Sequence, residues 1–215
     1  MQMLRSLVLT LLLAPFFYAC NANDPGGSSG NGAVPRQASA DLKKAYFASG
    51  CFWCVEHIYE KVKGVEEAVS GYAGGDVKDP SYHQVASGGT GHAETVKVLY
   101  DPEKVSFKTL VKIYYASQDP TTKGQEPDFG PQYRSIIFYT NEQEKEIARK
   151  AKDSVAASGA YEDPIVTELQ KLEAFYPAKE HHQDYVEKNP DQGYVQRVSL
   201  PRYRSFKKKM PEVLK

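Results

Sequence analysis

The sequence predicts an α/β protein, a two-layer sandwich built on a mixed β-sheet. Short segments rich in β-branched and aromatic residues alternate with segments whose apolar residues recur at helical spacing. Their order is strand, helix, strand, strand, helix, strand, helix, strand, helix, and no repeat of fixed period runs through the chain. Such alternation favours helices packed on a sheet over a helical bundle or an all-β fold.

Five strands and four helices are expected. The predicted strands cover residues 44–49, 66–72, 95–100, 135–139 and 165–169, and the helices residues 51–63, 106–116, 141–157 and 178–187. Ser106 and Asn141 have the chemistry of helix N-caps, and Asn189-Pro190 would end the last helix. Two long connections, residues 74–92 and 117–134, are expected to lack regular structure and to reach back to the first helix, as functional loops do.

The composition excludes partners that are recruited by overall charge. Lys plus Arg and Asp plus Glu both number 27, so no global field attracts nucleic acid or acidic lipid. The run Lys207-Lys208-Lys209 is the only basic patch, and we expect it in a solvated C-terminal tail.

The first part of the chain is typical of an export signal followed by a tether. Residues 7–18 are apolar apart from Thr10, too short a stretch to span a bilayer but suited to a signal peptide. Ala19-Cys20 resembles a bacterial lipobox, which predicts a signal peptide over residues 1–19 and lipidation of Cys20; ordinary cleavage after Ala22 is the alternative. Residues 20–42, rich in Gly, Ser and Pro, would form a disordered tether, and residues 43–215 the folded domain. The predicted location is the bacterial periplasm or envelope, with a lipid anchor.

Ser49-Gly50-Cys51-Phe52-Trp53-Cys54 is the stretch with the richest chemistry. Cys51 falls at a strand-to-helix turn, where free amides and the helix dipole favour thiolate over thiol. Cys54 lies three residues later, close enough for a disulfide, and would resolve what Cys51 forms. A structural disulfide is an alternative. A zinc site would need four ligands and no second cysteine pair exists, while haem attachment would require His in place of Val55.

Other candidates have two readings each. Phe52 and Trp53 could line a pocket for a small apolar group or simply pack in the core. Glu94 follows a glycine-rich approach that lets backbone come close to a ligand, but by itself it reads as an exposed strand carboxylate. Glu56 and His57 are expected to be solvated, and His181 and His182 to be helix caps or surface groups.

Six motifs in chain order resemble the A-type peptide methionine sulfoxide reductases, from about Tyr46 to Tyr194. They are Gly50-Cys51-Phe52-Trp53, Gly71-Tyr72-Ala73-Gly74-Gly75, Tyr82-His83-Gln84-Val85, Gly91-His92-Ala93-Glu94, Gln132-Tyr133-Arg134-Ser135, and Tyr176-Pro177-Ala178 with His182-Gln183.

The resemblance implies a two-layer α/β sandwich, here expected as a ferredoxin-like plait, and reduction of the S epimer of methionine sulfoxide, free or in proteins. It assigns attack on the sulfoxide to Cys51, a methyl-binding role to Phe52 and Trp53, and proton donation to Glu94. Tyr82, Tyr133 and Asp128 would assist. No cofactor or metal is implied; the resulting disulfide would be reduced by an external dithiol such as thioredoxin.

The chain departs from the family pattern in two places. Many members have Gly after the Trp and carry resolving cysteines in a C-terminal tail, whereas residues 192–215 contain none. This assigns recycling to Cys54 or to direct reduction of the sulfenic acid. The segment 119–128 also differs from the common Gln-Gly-Asn-Asp form around Asp128. Two other classes of function are alternatives. One is a thiol:disulfide oxidoreductase of the thioredoxin kind, and the other is a non-catalytic module that captures apolar peptides on Phe52 and Trp53.

Overall fold

The computed structural model describes residues 41–215, so the predicted signal peptide, Cys20 and most of the tether lie outside the described residues. Eight strands are present there, of which six form one sheet in the order β7-β6-β1-β3-β2-β8 and two form a separate hairpin, β4-β5. The strands are β1 Lys43–Ala48, β2 Val65–Ala73, β3 Ala93–Tyr100, β4 Gly124–Gln125, β5 Asp128–Phe129, β6 Ile136–Tyr139, β7 Glu168–Lys171 and β8 Phe175–Pro177.

The sheet is mixed, as predicted. Only β6 and β7 pair in parallel, and the other neighbours in the sheet are antiparallel. The four central strands stand in the order β6-β1-β3-β2; one helix lies between β1 and β2, a short one between β2 and β3, and another between β3 and β4. β7 and β8 extend the sheet at both edges, and the ferredoxin-like plait stays a prediction. The predicted mixed α/β fold is confirmed.

Six α-helices accompany the strands. They are α1 Phe52–Glu60, α2 Tyr82–Ala86, α3 Phe107–Ala116, α4 Glu142–Ala157, α5 Tyr185–Lys188 and α6 Leu200–Lys209, with a π-helix at Val195–Ser199 directly before α6. The predicted caps are confirmed: Ser106 Oγ accepts the Thr109 amide at 3.1 Å, and Asn141 Oδ1 accepts the Glu144 amide at 2.9 Å. In this part of the chain no helix is long and apolar enough to cross a bilayer.

The main core lies between the sheet and the helices, and it includes the cysteine segment. Phe47 of β1 stacks on Tyr59 of α1 with ring centroids 5.1 Å apart. Cys51, Phe52 and Cys54 belong to the same buried cluster. A smaller cluster on the opposite face of the sheet is covered by Leu172 and Phe175. The start of α1 is therefore fixed by core packing.

Tyr114 fixes the end of β1, the strand that leads into Cys51. Its buried hydroxyl donates to Ala48 O at 3.0 Å and lies 2.6 Å from Ser135 Oγ. Ser135 in turn contacts Thr167 Oγ1 at 2.9 Å. Because unpaired polar groups are costly in a core, this network holds α3, β1 and β6 in one arrangement.

The structure corrects four local predictions. The long connections are not without structure, because they contain α2 and the β4-β5 hairpin. The strand predicted at residues 165–169 is displaced to β7, and the helix predicted at 178–187 is a 3-10 turn, Glu180–His182, followed by the short α5. Residues 192–215 are not an unstructured tail, since they contain the π-helix and α6; Lys207-Lys208-Lys209 form the last turn of α6 and are exposed to solvent, as predicted. Val195, Val198 and Phe206 recur at helical spacing and pack on the core, which is the signal that was missed.

Gly71 lies where β2 pairs with Pro177 of β8. A Cβ there would lie 2.4 Å from both Tyr176 O and the Phe175 ring. The Tyr176 carbonyl oxygen belongs to the backbone and cannot move away as a flexible side chain could. We expect Gly71→Ala to lower the free energy of unfolding by about 1–3 kcal/mol, as overpacking typically does. Gly89→Ala is the matched control, because its Cβ would meet only Ser87 Oγ at 3.9 Å. Thermal and urea denaturation of both variants measure this difference; equal losses would contradict the steric account.

Candidate active site

Cys51 occupies the N-cap of α1 because Gly50 turns the chain sharply after β1. Gly50 has φ +77°, a backbone conformation that side chains disfavour, and its amide donates to Tyr133 O at 3.0 Å. A Cβ on Gly50 would lie 3.0 Å from the side chain of Gln125. Glycine therefore allows the second long connection to close over the cysteine.

A small cavity of about 170 Å³ opens at Cys51. The long connections contribute Tyr82 from the first, and Asp128 and Tyr133 from the second, which confirms that both reach back to the first helix. The full lining is Cys51, Phe52, Trp53, Tyr82, Glu94, Asp128, Tyr133 and Tyr194. All of the predicted catalytic and substrate-binding residues except Cys54 line this one cavity, and Cys54 lies directly behind Cys51 in the core.

Glu94 is buried at the start of β3, with 2% of its surface exposed, so the reading as a solvated strand carboxylate is wrong. Its Oε2 accepts the Phe52 amide at 2.9 Å. Burial raises the pKa of Glu94 to about 8; the Phe52 hydrogen bond opposes that shift, while the charges of Asp128 and Cys54 add to it. At neutral pH the group is therefore a neutral carboxylic acid facing the cavity.

Three phenols surround the same space. Burial, followed by the charge of Glu94, raises the pKa of Tyr82 and of Tyr133, so both remain proton donors. The Tyr194 hydroxyl donates to the Asp128 carboxylate. Burial raises the pKa of Asp128, an effect that this hydrogen bond partly offsets. The cavity therefore presents hydroxyl and carboxyl donors on one side.

The other side of the cavity is aromatic. Trp53 stacks on Tyr185 with centroids 3.7 Å apart and planes at 8°. Phe52 packs against Tyr72 at 5.8 Å and against Tyr82 at 6.4 Å. Phe52 and Trp53 thus satisfy both earlier readings, since they pack in the core and also line the cavity.

His182 belongs to this aromatic group, contrary to its predicted surface position. It is buried, and its ring lies 4.5 Å from that of Tyr82, 5.4 Å from Phe52 and 5.9 Å from Trp53. Within residues 41–215 neither ring nitrogen has a hydrogen-bond partner, and burial lowers the pKa of His182 to about 4, helped by the charges of His181 and Lys179. The neighbouring Gln183 holds this segment against the sheet, because its side chain accepts a hydrogen bond from the Ser70 amide and donates one to the Ser70 carbonyl.

Glu56 and His57 are also buried rather than solvated. Burial raises the pKa of Glu56 to about 8 and lowers that of His57. Both corrections have one cause: α5 and α6 pack on the face of α1 that would otherwise meet solvent.

The two thiols are free and buried, and their charge preference is the reverse of the predicted one. Burial raises the pKa of Cys51, and hydrogen bonding and charge from Cys54 add to this. The pKa of Cys54 is lowered to about 6, mainly by its hydrogen bond with Cys51, then by the charge of Arg202 and by its hydrogen bonds with Ser199 and Tyr194, while burial opposes the shift. The Phe52 amide, a free donor at the start of α1, is accepted by Glu94 Oε2 and not by the Cys51 sulfur.

Residues 43–214 match the profile of the family described as peptide methionine sulfoxide reductase. The chain belongs to this family. The predicted enzyme class, an oxidoreductase acting on methionine sulfoxide, is confirmed by the same match.

Individual reductases show how far the likeness extends. The chain is 44% identical over 172 residues to peptide methionine sulfoxide reductase MsrA 1 of Rhodopirellula baltica, a match that covers 80% of this chain and 88% of the relative. It is 46% identical over 168 residues to the MsrA protein of Methanosarcina mazei, covering 78% and 76%. The structure of Mxr1 from Saccharomyces cerevisiae in reduced form superposes with a TM-score of 0.66 at 32% identity, covering 70% of this chain and 87% of that one.

Sequence reasoning missed three residues that contact this reductase site from the C-terminal segment: Tyr194, Ser199 and Arg202. The spacing Val195, Val198, Arg202, Phe206 would have identified the helix that carries Arg202. No local pattern marks Tyr194 or Ser199. Among residues 41–215 no cluster of three or more His, Cys, Asp or Glu side chains is arranged to hold a metal ion.

Proposed function

We propose that the chain is an exported, lipid-anchored reductase that returns the S epimer of methionine sulfoxide in oxidised envelope proteins to methionine. The observation that carries the chemistry is the shared cavity, in which the Cys51 thiol and the neutral Glu94 acid face one small space. A sulfoxide oxygen leaves only after it gains a proton, and a buried carboxylic acid can supply that proton.

In the first half-reaction the Cys51 sulfur attacks the sulfoxide sulfur while Glu94 protonates the oxygen. The oxygen passes to Cys51, giving a sulfenic acid, and the sulfide leaves as methionine. The proton lost by the Cys51 thiol restores Glu94. Tyr82 and Tyr133 donate hydrogen bonds to the oxygen as charge develops on it.

The layout of the cavity supports selection of a single epimer. A sulfoxide sulfur carries an oxygen, a methyl group and the remaining side chain. The oxygen would face the donors Glu94, Tyr82 and Tyr133, and the methyl group the rings of Phe52 and Trp53, while Cys51 attacks from a third direction. Inverting the sulfur would exchange methyl and oxygen, placing a polar atom against the rings without a partner.

In the second half-reaction Cys54 condenses with the sulfenic acid to form a Cys51–Cys54 disulfide and water. An external dithiol of the thioredoxin kind then restores both thiols by exchange. The closeness of Cys54 to Cys51 and its lowered pKa support this assignment.

Export and anchoring rest on the N-terminal residues alone. The apolar stretch 7–18 and the pair Ala19-Cys20 support signal cleavage with lipidation. The intact mass of the mature protein distinguishes this from cleavage after Ala22, which would give an unlipidated chain beginning at Asn23.

A stereospecific assay tests the proposed reaction. We expect the purified protein to consume the S epimer, and not the R epimer, with either dithiothreitol or thioredoxin as reductant. Cys54→Ser should retain turnover with dithiothreitol but produce about one methionine per enzyme with thioredoxin, because no intramolecular disulfide forms.

Each contrary outcome has a distinct meaning. Reduction of disulfides without loss of sulfoxide would indicate a thiol:disulfide oxidoreductase. Binding of apolar peptides without turnover would indicate a binding module. Unimpaired multiple turnover of Cys54→Ser with thioredoxin would remove Cys54 from recycling.

A further inference from the structure

The C-terminal segment contacts the second cysteine directly. Ser199, the last residue of the π-helix, is buried, and its Oγ accepts a hydrogen bond from the Cys54 thiol at 3.2 Å; the same hydroxyl can donate to the sulfur once it is a thiolate. The Tyr194 hydroxyl lies 3.9 Å from the same sulfur. In sequence, Tyr194 lies 140 positions after Cys54 and Ser199 lies 145 positions after it.

The π-helix explains why two residues five positions apart meet one sulfur. The Leu200 amide donates to Val195 O, an i to i+5 bond. In that geometry residues five apart lie one turn apart on the same face, whereas in an α-helix they lie on different faces. Regular α-helix through this segment would turn either Tyr194 or Ser199 away from Cys54. Such π-bulges are frequent at functional sites.

Arg202, in the first turn of α6, supplies a fixed positive charge beside the cysteine segment. Its Nε donates to Ser117 O at 2.8 Å and its Nη2 to Ser49 Oγ at 3.2 Å. Its Nη1 lies 3.5 Å from where a Cβ on Gly50 would be. Within residues 41–215 no carboxylate lies within salt-bridge distance of Arg202, so no ion pair neutralises its charge.

We propose that Ser199 and Arg202 are positioning residues that hold the Cys54 sulfur as a thiolate, aligned for attack on oxidised Cys51. This rests on the proposed function, in which Cys51 becomes a sulfenic acid. The Cys54 thiolate attacks the Cys51 sulfur, the S–S bond forms and the S–O bond breaks. Its electron pair leaves with the oxygen as hydroxide, which takes up a proton to become water. Cys54 is oxidised and Cys51 is reduced from sulfenic acid to disulfide.

The charges around Cys54 favour this state. The titratable or charged groups that face it are Cys51 at the N-cap of α1, Glu94 from β3, Tyr194 from the start of the π-helix and Arg202 from α6. Asp128 of β5 lies next to them, since it accepts the Tyr194 hydroxyl and its pKa is lowered by the charge of Arg202. Cys51, Glu94 and Tyr194 are neutral when protonated, and burial raises the pKa of each of them; Arg202 is the positively charged group among these residues. The lowered pKa of Cys54 agrees with this arrangement.

The test follows a single turnover of the full chain carrying Cys20→Ser, so that only two thiols remain. Reduced enzyme is mixed with one equivalent of S-methionine sulfoxide without reductant, and methionine and free thiols are measured against time. We expect Ser199→Ala to release methionine, and with it to lose the Cys51 thiol, as the parent does, but to lose the Cys54 thiol at least about tenfold more slowly, since a hydrogen bond to a charged group is lost. The pH profile of loss of the Cys54 thiol should move upward relative to that of the parent, because the neighbours that lower the pKa of Cys54 include Ser199.

Arg202→Met should slow thiol loss in the same way, and Arg202→Lys should recover part of the rate because the charge is kept. Ser205→Ala is the matched control, being the same substitution on an exposed position of α6. A merely structural role for Ser199 or Arg202 would not move the pH profile. Thiol loss at the parent rate, with the parent pH profile, in both Ser199→Ala and Arg202→Met would overturn the proposal.

A substrate-free readout separates this proposal from the reaction itself. If the parent releases no methionine, the proposed function fails, but the ultraviolet absorbance of the thiolate still reports on Cys54. In a Cys51→Ser background, Ser199→Ala should raise the pH at which that absorbance develops. An unchanged titration there would also overturn the role of Ser199.

Discussion

Turnover of S-methionine sulfoxide is expected to disappear in Cys51→Ser, with dithiothreitol as well as with thioredoxin. A serine hydroxyl cannot accept the sulfoxide oxygen to form a reducible intermediate, so the first half-reaction has no substitute. The fold should persist, because Ser differs from Cys by one atom and Cys51 makes no hydrogen bond that stabilises the sheet. The decisive measurement is methionine released in a single turnover without reductant, which should fall from about one per enzyme to none.

Cys20→Ser is the control for substitution of a cysteine that the proposed chemistry does not use. It lies outside the described residues and has no part in the proposed chemistry, so its turnover should match that of the wild type. Methionine release that survives in Cys51→Ser would refute the mechanism, since Cys51 is the only cysteine among residues 41–215 that lines the cavity.

Glu94→Gln is expected to slow methionine formation by about 10²- to 10⁴-fold, the range attributed to general acid catalysis. Glutamine can still accept the Phe52 amide, as Glu94 Oε2 does at 2.9 Å, so the start of α1 should keep its geometry. It can donate a hydrogen bond to the sulfoxide oxygen but cannot give up a proton. The loss should therefore appear in kcat more than in KM.

The pH dependence follows from the raised pKa of Glu94, about 8. The acid is protonated and active below that value, so single-turnover rates should fall as pH rises through 8. In Glu94→Gln this alkaline decline should be absent. Glu56→Gln is the matched control: Glu56 is an equally buried carboxyl whose pKa is also about 8, but it lies away from the cavity. An alkaline decline retained in Glu94→Gln, or lost in Glu56→Gln, would assign the proton to another group.

Much of the site could be predicted from sequence because its residues lie in short local patterns. The Gly50-Cys51-Phe52-Trp53 and Gly91-His92-Ala93-Glu94 motifs each place a reacting group at the end of a strand, and strand ends are easily located from alternation. The caps at Ser106 and Asn141 are local for the same reason. Contacts between neighbours in sequence are the ones that a pattern can show.

The charge states could not be predicted because they depend on distant contacts. The Phe52 amide was expected to favour a Cys51 thiolate, yet Glu94, 42 positions away, takes it. Cys54 acquires its partners from residues 194–202, which were expected to be a solvated tail. Glu56 and His57 were predicted to be solvated for the same reason, since the C-terminal helix that packs against α1 was not predicted.

The unequal burial of the two cysteines has a kinetic consequence. Cys51 is 6% exposed, at the cavity, whereas Cys54 is 1% exposed beneath the C-terminal segment. An incoming dithiol therefore meets the disulfide from the Cys51 side, and Cys54, having the lower pKa, is the better leaving group. Oxidised substrate and reductant must then use one entrance in alternation, which is the basis of ping-pong kinetics. We therefore expect excess sulfoxide to compete with the reductant for this entrance and to slow reduction of the disulfide.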